Sequence, residues 1–366
     1  MKEIPVKSLR GNYTVLTGSA LLEKSGRLLR RFGIQGKAMI VTQKSIAALY
    51  LKKLTQGLSA KKIDFQTHFM AAGETAKSEM ELFKLYHALS QFDFERRDFL
   101  IALGGGVVGD LTGFAAATYL RGVAFVNIPT TLLAQVDSSI GGKTGINLAE
   151  GKNLVGAFYP PRVVISDIAV LKSLPDRELY ASLAEVVKYG AIADPQLFRF
   201  LEANAKKILA KDTASLEKIV QASAKIKAGV VSRDEFETKG ERMILNFGHT
   251  FGHGFEQALG YSKLLHGEAV AVGMACAAGL AVKRKLFPEA AYERLLAVMR
   301  QLRLPVSLSG LRVDLNSVVA AMSRDKKKKA GKLRFVLPVK IGKVIIRDDI
   351  SMKEVREILL ERGIQS

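Results

Sequence analysis

A glycine-rich turn between a strand-like run and a helix-like run is the segment best suited to bind a phosphate-bearing ligand. Residues 99–103 are apolar and of strand length, and a helical stretch from Val108 to about Tyr119 follows. Gly104, Gly106 and Gly109 satisfy the G-x-G-x-x-G pattern between this strand and this helix. The unpaired N–H groups at the start of a helix, together with the helix dipole, favour a diphosphate. The segment therefore predicts a nucleotide site at the start of this helix.

Side chains that bind anions and hydroxyl groups follow the glycines. They are Thr130, Thr131, Asp137, Lys143, Lys152 and Asn153, spaced among further turn glycines. The alternative, that the glycines only form a tight turn, leaves this polar cluster unexplained. An ordinary dinucleotide fold places a ribose-binding carboxylate about 20 residues after the glycines, but Asn127, Pro129 and Thr130 occupy that window. The sequence thus predicts a nucleotide site outside a standard two-half Rossmann domain.

A second group of residues has the composition of a metal site. His249 and His253 are four residues apart, so they share one face of a helix, a spacing used to bind divalent metals. His266 opens a long apolar stretch, and Glu185 lies among apolar helical neighbours with Lys188 one turn on. A buried carboxylate is costly unless it is paired or metal-bound. Spacing leaves open which two histidines bind the metal, and core or capping roles are the alternative.

The elements that must position these residues change in character along the chain. Strand-like and helix-like pieces alternate in the first half, with strands expected at residues 37–42, 63–70, 99–103, 123–128 and 162–166. Helical periodicity dominates from about residue 177 to 301, and residues 333–337 and 343–346 suggest a small strand pair. We therefore predict an α/β N-terminal domain with a mostly parallel, Rossmann-like sheet (residues 1–172) and a mainly α-helical C-terminal domain (residues 173–366).

Composition limits the class of protein. The 366 residues exceed the usual size of a single core, which favours two domains. The single cysteine, Cys276, lies in an apolar stretch, so a disulfide framework within the chain and thiolate-bound zinc are both disfavoured. The N-terminus shows no signal-peptide pattern, and the apolar stretch 269–282 is shorter than the roughly 20 residues of a membrane span. We expect a cytoplasmic protein without a membrane partner.

The net charge of +20, from 55 Lys and Arg against 35 Asp and Glu, favours anionic ligands. The basic residues are spread along the chain without interleaved aromatic residues, and residues 326–329 form the one lysine run. We therefore expect phosphate-bearing small molecules as ligands and no nucleic acid. A basic nucleic-acid-binding protein is the non-enzymatic alternative, and it would retain DNA or RNA in a salt-sensitive, metal-independent way.

Eight motifs, in order over almost the whole chain, are similar to the 3-dehydroquinate synthase family. They are GETAKS (73–78), GGGVVGDLTGF (104–114), IPTTLLAQVDSSIGGKTGIN (128–147), GKNLVGAF (151–158), LAEVVKYG (183–190), LNFGHTFGH (245–253), LLHGEAVA (264–271) and RDKK (324–327). The resemblance implies a homodimeric enzyme of the shikimate pathway that uses NAD and a zinc or cobalt ion. It would convert 3-deoxy-D-arabino-heptulosonate 7-phosphate to 3-dehydroquinate and phosphate by transient oxidation, phosphate elimination, re-reduction and aldol closure.

The resemblance also implies roles for individual residues. It assigns the metal to Glu185, His249 and His266, and leaves His253 to the substrate. The NAD contacts that it implies are Gly73, Glu74, Lys77, Gly105, Gly106, Val107, Val108, Gly109, Asp110, Thr130, Thr131, Lys143, Lys152, Ser173 and Leu174. The catalytic and substrate-binding residues that it implies are Arg121, Asp137, Lys143, Lys152, Asn153, Lys188, Lys227, Arg242, Asn246, His253, Lys326 and Lys327.

Two departures and several relatives qualify this interpretation. The loop between Lys227 and Arg242 is one residue longer than the usual family spacing, and Gln43 stands where some members place a ribose-binding residue. Related sugar phosphate cyclases, amino-dehydroquinate synthases and metal-dependent polyol dehydrogenases share the framework. Lys227, Arg242, Asn246 and His253 together favour a dehydroquinate synthase, because a simple polyol dehydrogenase would not need so many cationic residues.

Overall fold

The computed structural model describes residues 1–261, 263–328 and 333–364, and the side chains of residues 324–328 lie outside the described part. The chain forms two compact units. The first, unit 1, comprises Met1–Leu174 and Leu216–Phe236, and the second, unit 2, comprises Pro175–Ser215 and Glu237–Ser366. Within the described ranges, no helix has the length and apolar character needed to cross a membrane.

The strands and helices have the following bounds. The strands are β1 (Lys2–Val6), β2 (Tyr13–Gly18), β3 (Ala38–Thr42), β4 (Phe65–Phe69), β5 (Phe99–Gly104), β6 (Ala124–Pro129), β7 (Lys143–Leu148), β8 (Gly151–Phe158), β9 (Val163–Asp167), β10 (Phe335–Lys340) and β11 (Lys343–Arg347). The helices are α1 (Ser25–Arg31), α2 (Lys44–Ser59), α3 (Glu79–Gln91), α4 (Gly106–Thr118), α5 (Asp176–Ile192), α6 (Pro195–Leu209), α7 (Thr213–Arg233), α8 (His249–Ala258), α9 (His266–Lys283), α10 (Glu289–Gln301), α11 (Leu315–Lys328) and α12 (Met352–Glu361).

Unit 1 is built on a sheet with the strand order β1-β2-β9-β6-β5-β3-β4. The β1–β2 pair is antiparallel, and the other neighbouring pairs in the sheet are parallel. Strands β3, β5 and β9 are buried along their whole length, as expected for parallel strands covered on both faces. The predicted α/β class with a mostly parallel sheet is confirmed.

The sheet order places the glycine turn where ligands bind in open parallel sheets. The chain passes from β3 to β4 on one side of β3, and β5 and β6 continue on its other side. Strand order therefore reverses between β3 and β5, and the crevice beyond the carboxyl ends of the strands at such a point is the usual ligand site. Thr42, the last residue of β3, donates a hydrogen bond to the carbonyl of Leu103 in β5 (2.8 Å), which ties these two strand ends together.

Several features of unit 1 were not predicted from the periodicity of the sequence. Most of α7 belongs to this unit, because one face of the helix, with Ala224, Ala228 and Val231, packs in a cluster with Val15 and Val164 of the sheet. Strands β1 and β2 and the β7–β8 hairpin were also not predicted. The hairpin is glycine-rich and most of β8 is exposed, so it lacks the apolar alternation of a strand with one buried face.

Unit 2 is mainly helical and is organised around α9. Gly267 and the residues from Ala269 to Ala281 of this helix are buried, and α5, α8, α10 and α12 pack against it. The predicted all-buried helix and the small β10–β11 antiparallel pair are both present. Close approach between the helices depends on glycines. A Cβ atom at Gly267 would lie 1.8 Å from the Ala181 carbonyl oxygen of α5, and one at Gly273 would lie 2.0 Å from the Gly248 carbonyl oxygen.

We expect Gly267→Ala to destabilise the protein, because its methyl group has no space against the α5 backbone. Over-packing of a tight interior costs about 1–3 kcal/mol, and backbone atoms cannot rotate away as a side chain can, so a loss of about 3 kcal/mol is expected. The matched control is Gly229→Ala on α7, where the added methyl group would lie 3.6 Å from an Arg233 side-chain nitrogen. It should leave the unfolding free energy unchanged or raise it by up to about 1 kcal/mol. Urea unfolding that gives the two variants equal stability would contradict this account.

Candidate functional site

The glycine turn forms the start of α4 in unit 1. Gly104 ends β5, Gly105 is extended and caps the helix, and the Gly109 N–H donates to the Gly105 carbonyl (3.1 Å). A Cβ atom at Gly104 would lie 2.5 Å from Val108, and one at Gly109 would lie 3.0 Å from the Asn127 amide. These two glycines therefore allow α4 to pack closely on the sheet. The N–H groups of the first turn of α4 have no intrahelical acceptor and remain available to a ligand.

A buried lysine links the predicted nucleotide and substrate segments of unit 1. Lys77 Nζ donates to Asp110 Oδ2 on α4 (2.7 Å) and also contacts the side-chain oxygen of Asn153 on β8. Its nitrogen lies 4.0 Å from Glu74 Oε1, and Gly73 precedes this loop with a φ of 87°. Asn153 itself has a φ of 56°. The structure thus brings together Glu74, Lys77, Asp110 and Asn153.

Asn147 completes this network, although the sequence analysis did not select it as a site residue. Its backbone N–H donates to the Lys77 carbonyl (2.7 Å), and its side-chain amide donates to Glu74 Oε1 (2.9 Å). Its side-chain oxygen accepts the Asn153 N–H (2.9 Å). The position of Asn147 at the end of the GGKTGIN motif is a weak signal in the sequence, because only the paired hairpin brings it beside Asn153.

Burial raises the pKa of the Asp110 carboxyl to about 6, although the Lys77 ammonium opposes this shift by its charge and hydrogen bond. Glu74 and Asp137 add like charges that raise the pKa further. A carboxyl with this pKa at the N-terminal end of α4 changes charge in the physiological range, a property common in ligand-binding sites.

The loops that follow β6 and β9 supply further predicted residues. Thr130 is buried at the end of β6, and its Oγ1 has no hydrogen-bond partner within the described part of the chain. Thr131 Oγ1 accepts the Ala134 N–H (3.2 Å), and Ser173, followed by Leu174, contacts the Tyr50 hydroxyl. An unsatisfied hydroxyl beside the glycine turn fits a nucleotide, which would supply the missing partner.

Asp137 and Lys227 form a partly buried ion pair in unit 1. Asp137 lies in a short π-helical segment (Ala134–Ser138), and Lys227 Nζ donates to its Oδ1 (2.6 Å) from α7. Lys143 begins β7 and Lys152 lies near the start of β8, so they project from the same hairpin. Arg121 lies just beyond the C-terminal end of α4, whereas the glycine turn lies at its N-terminal end. At 1.5 Å per residue, α4 is about 20 Å long, so Arg121 is far from the glycine turn.

The predicted metal residues form one cluster in unit 2. Glu185 is buried on α5, His249 begins α8 and His266 begins α9. Glu185 Oε1 lies 3.5 Å from His249 Nε2 and 3.9 Å from His266 Nε2. The His249 ring centre lies 5.5 Å from that of His253 and 5.3 Å from that of His266. Three helices thus bring four of the predicted side chains together.

The Glu185 carboxylate fits a divalent ion. Among the described residues, neither carboxylate oxygen accepts a well-formed hydrogen bond, although the Lys188 ammonium contacts Oε2 as an ion pair. Such a buried carboxylate is costly without a further cation. Atoms bound about 2.1 Å from a tetrahedral ion lie about 3.4 Å apart, close to the two observed Glu185–His distances. Glu185, His249 and His266 could therefore bind one ion with little rearrangement.

The imidazoles of His249 and His266 have different environments. Burial, with nearby Lys188 and the other histidines, lowers the pKa of His249 well below its ordinary value, which favours the neutral imidazole that binds metals. Burial also lowers the pKa of His266, but a hydrogen bond with Glu256 and the charges of Glu256 and Glu185 outweigh it and raise the pKa overall. Glu256 was not predicted from the sequence as a site residue, although it lies seven residues after His249 on the same helix face.

Four other predicted residues of unit 2 lie on two further helical segments. Arg242 and Asn246 lie in one 3-10 helix (Glu241–Asn246). Arg242 is buried, and its Nε lies 3.2 Å from Glu237 Oε1, so the longer loop before it still places Arg242 inside the fold. Lys326 and Lys327 belong to α11, and their side chains lie outside the described residues.

In unit 1, Gln43 precedes α2, and its side-chain amide donates a hydrogen bond to the Ala71 carbonyl (3.1 Å).

Solved structures with a similar fold show the class of protein to which this chain belongs. Over 97% of this chain and 98% of the other, the structure resembles 2-epi-5-epi-valiolone synthase from Streptomyces hygroscopicus, solved with NAD⁺ and Zn²⁺, with a TM-score of 0.88 and 31% identity. It matches 2-deoxy-scyllo-inosose synthase, solved with carbaglucose-6-phosphate, NAD⁺ and Co²⁺, over 99% and 100% of the two chains, with a TM-score of 0.88 and 26% identity. The chain therefore has the fold of the sugar phosphate cyclases.

The family follows from the sequence matches. Residues 67–181 match the N-terminal model of 3-dehydroquinate synthase, and residues 182–328 match its C-terminal model. The chain is 44% identical to the 3-dehydroquinate synthase of Desulforamulus reducens over 95% of this chain and 96% of that protein. This protein belongs to the 3-dehydroquinate synthase family.

The raised pKa of Asp110 predicts a pH-dependent stability. A carboxyl with a folded-state pKa above its ordinary value favours the folded state below about pH 4, and this contribution is lost as the pH rises through 6. Relative to Asp110→Asn, the wild type should therefore lose about 2 kcal/mol of unfolding free energy between pH 4.5 and pH 7.5. Urea unfolding at both pH values measures this difference, and parallel pH profiles for the two proteins would show that Asp110 titrates normally.

Proposed function

We propose that this protein catalyses the 3-dehydroquinate synthase reaction, which converts 3-deoxy-D-arabino-heptulosonate 7-phosphate to 3-dehydroquinate and phosphate. The observation that carries the proposal is the buried Glu185 carboxylate with two imidazole nitrogens 3.5 and 3.9 Å away, in a chain 44% identical to a curated 3-dehydroquinate synthase. The identity to the valiolone and inosose cyclases, 31% and 26%, is lower. We therefore favour the heptulosonate phosphate over the substrates of those relatives.

We propose that unit 1 binds NAD at the glycine turn. The first N–H groups of α4 would hold the diphosphate, and Thr130 Oγ1 would gain the partner that it lacks among the described residues. Lys77, Asp110 and Glu74 would hold the ribose hydroxyls and keep the loops around the cofactor in place. Bound NAD supplies a reversible hydride acceptor, so it would be regenerated in each turnover.

In unit 2, we propose that Glu185, His249 and His266 bind one divalent ion. A zinc or cobalt ion supplies a Lewis acid that lowers the pKa of adjacent substrate hydroxyls. The buried Lys188 beside Glu185 would limit the negative charge of the site and leave the carboxylate oriented toward the imidazoles. His253, whose ring centre is 6.1 Å from that of His266, is proposed to act on the substrate and not as a ligand.

The cationic residues are proposed to bind the substrate anions. Lys143 and Lys152 project from the β7–β8 hairpin, and Lys227 is held by Asp137. Arg242 offers a planar guanidinium, which binds a carboxylate or phosphate through two parallel hydrogen bonds. Asn153, Lys188, Asn246, Arg121, Lys326 and Lys327 complete the proposed set. A substrate with both a phosphate and a carboxylate explains why so many cations are needed.

Two further features belong to the same proposal. We propose a cytoplasmic enzyme, because its single cysteine, Cys276, is buried and a disulfide within the chain is excluded. Burial raises the pKa of this thiol to about 12, which keeps it unreactive. A homodimer is proposed from the family resemblance. An amino-dehydroquinate synthase is the remaining alternative within the family framework, and it would require an amino-substituted substrate.

We expect substoichiometric NAD to sustain phosphate release from the heptulosonate phosphate over many turnovers, because the hydride leaves and returns within one reaction cycle. Phosphate is measured with a coupled colorimetric assay, and NADH by its absorbance. Removing the metal with a chelator should abolish release, and added Zn²⁺ or Co²⁺ should restore it. Glucose 6-phosphate, which lacks the carboxylate, is the control substrate. Stoichiometric accumulation of NADH would instead identify a dehydrogenase, and equal turnover of the two substrates would refute the proposed specificity.

The proposed ligand set predicts different effects for two neighbouring histidines. His266→Ala should lose tightly bound metal, because Glu185 and His249 alone leave the ion with two protein ligands. His253→Ala should retain the metal and lose at least about 100-fold in kcat, as expected for a residue that acts on the substrate. Elemental analysis of both purified variants gives the metal content. Loss of metal from the His253 variant with retention in the His266 variant would reverse the assignment.

A further inference from the structure

We propose that Glu256 is a positioning residue that orients His266 for metal binding. This inference rests on the metal site of the proposed function. Glu256 Oε1 lies 3.3 Å from His266 Nδ1, while His266 Nε2 is directed toward Glu185, 3.9 Å away. The two nitrogens of one imidazole thus face two different carboxylates.

The chemistry of imidazole explains why this contact matters. A histidine that binds a metal through Nε2 carries its proton on Nδ1, and an acceptor for that proton sets both the tautomer and the ring orientation. A carboxylate acceptor also makes the metal-bound nitrogen a stronger donor. In the other proposed ligand, His249, Nδ1 lies 3.3 Å from the Phe247 carbonyl oxygen. Both imidazoles are therefore oriented through Nδ1, one by the backbone and one by Glu256.

The position of Glu256 supports a specific role. It lies on α8 in a buried segment with Gly254 and Phe255, and 8% of its surface is exposed. A carboxylate at such a position costs free energy that a solvent-facing residue would avoid. Its spacing of seven residues from His249 places it on the helix face that also carries that ligand. One helix therefore supplies a proposed ligand and the partner of a second ligand on α9.

An alternative donor set contains the same residue. His253, Glu256 and His266 also have ligand atoms within 4.8 Å of one another and could themselves hold an ion. In that arrangement His266 would use Nδ1, and the buried Glu185 oxygens would gain no cation from it. The unsatisfied Glu185 oxygens favour the arrangement in which Glu256 accepts the Nδ1 proton and His266 binds through Nε2.

The test measures Zn²⁺ affinity by competition with a chelating dye, and the absorption spectrum of the Co²⁺-loaded protein, for full-length variants. Glu256→Ala should weaken Zn²⁺ binding about 10- to 100-fold and change the shape of the Co²⁺ spectrum, because His266 loses its orientation. Glu256→Gln should fall between this variant and the wild type, since its amide oxygen still accepts the Nδ1 proton. Glu202→Gln is the matched control, because Glu202 binds Arg294 (3.0 and 2.9 Å) away from the histidines. It should match the wild type.

Other results would contradict either the proposed metal site or the positioning role of Glu256. If wild-type protein binds no Zn²⁺, the proposed metal site itself is wrong. If wild-type protein binds Zn²⁺ and Glu256→Ala matches it in affinity and spectrum, Glu256 has no positioning role. An equal loss in Glu202→Gln would indicate general destabilisation of unit 2 and would also reject the inference. Equal losses in Glu256→Ala and His253→Ala would indicate direct ligation by the alternative donor set.

Discussion

The buried carboxylate of Glu185 is the constraint on which the organisation of unit 2 depends. Among the described residues, its oxygens receive an ion pair from Lys188 and face two imidazoles, but accept no well-formed hydrogen bond. Holding a charge in this way requires that three helix segments converge within a few ångströms. Glycines make that convergence possible, because Gly267 lies against the α5 backbone and Gly273 lies against the loop before α8. The same close packing that buries Glu185 also directs His249 and His266 toward it.

Unit 1 follows a different principle, in which loops at the carboxyl ends of parallel strands carry the polar groups. The rigid β3, β5 and β6 strands fix where the loops begin, and the glycine turn lets α4 start directly beside them. Lys77 then joins the loop after β4, the first turns of α4 and the β7–β8 hairpin through Asp110 and Asn153. The elevated pKa of Asp110 is a consequence of this burial. A single buried ammonium thus organises three segments that are distant in sequence.

Most of the fold class could be predicted because buried parallel strands and amphipathic helices leave strong local patterns. Strands β3, β5, β6 and β9 correspond to short apolar runs, and α9 corresponds to an uninterrupted apolar stretch. Elements whose stability comes from distant partners left weaker signals. The exposed β8 pairs with β7 through its backbone, and most of α7 belongs to unit 1 because Ala224 and Ala228 pack on the sheet. Neither relationship is encoded in local periodicity.

By itself, the sequence indicated the chemistry that is available: a glycine turn for a phosphate, a glutamate and three histidines from which a metal site could be formed, and an excess of cations for an anionic substrate. Side-chain type and short-range spacing carry that information, because a helix places residues four apart on one face whatever its surroundings. Tertiary structure decided which groups meet. Glu256 contacts His266, and Asn147 binds both Glu74 and Asn153, although the residues of each of these three pairs lie on different elements of the chain. Distances and burial in such pairs arise from packing between elements, and no local pattern specifies them.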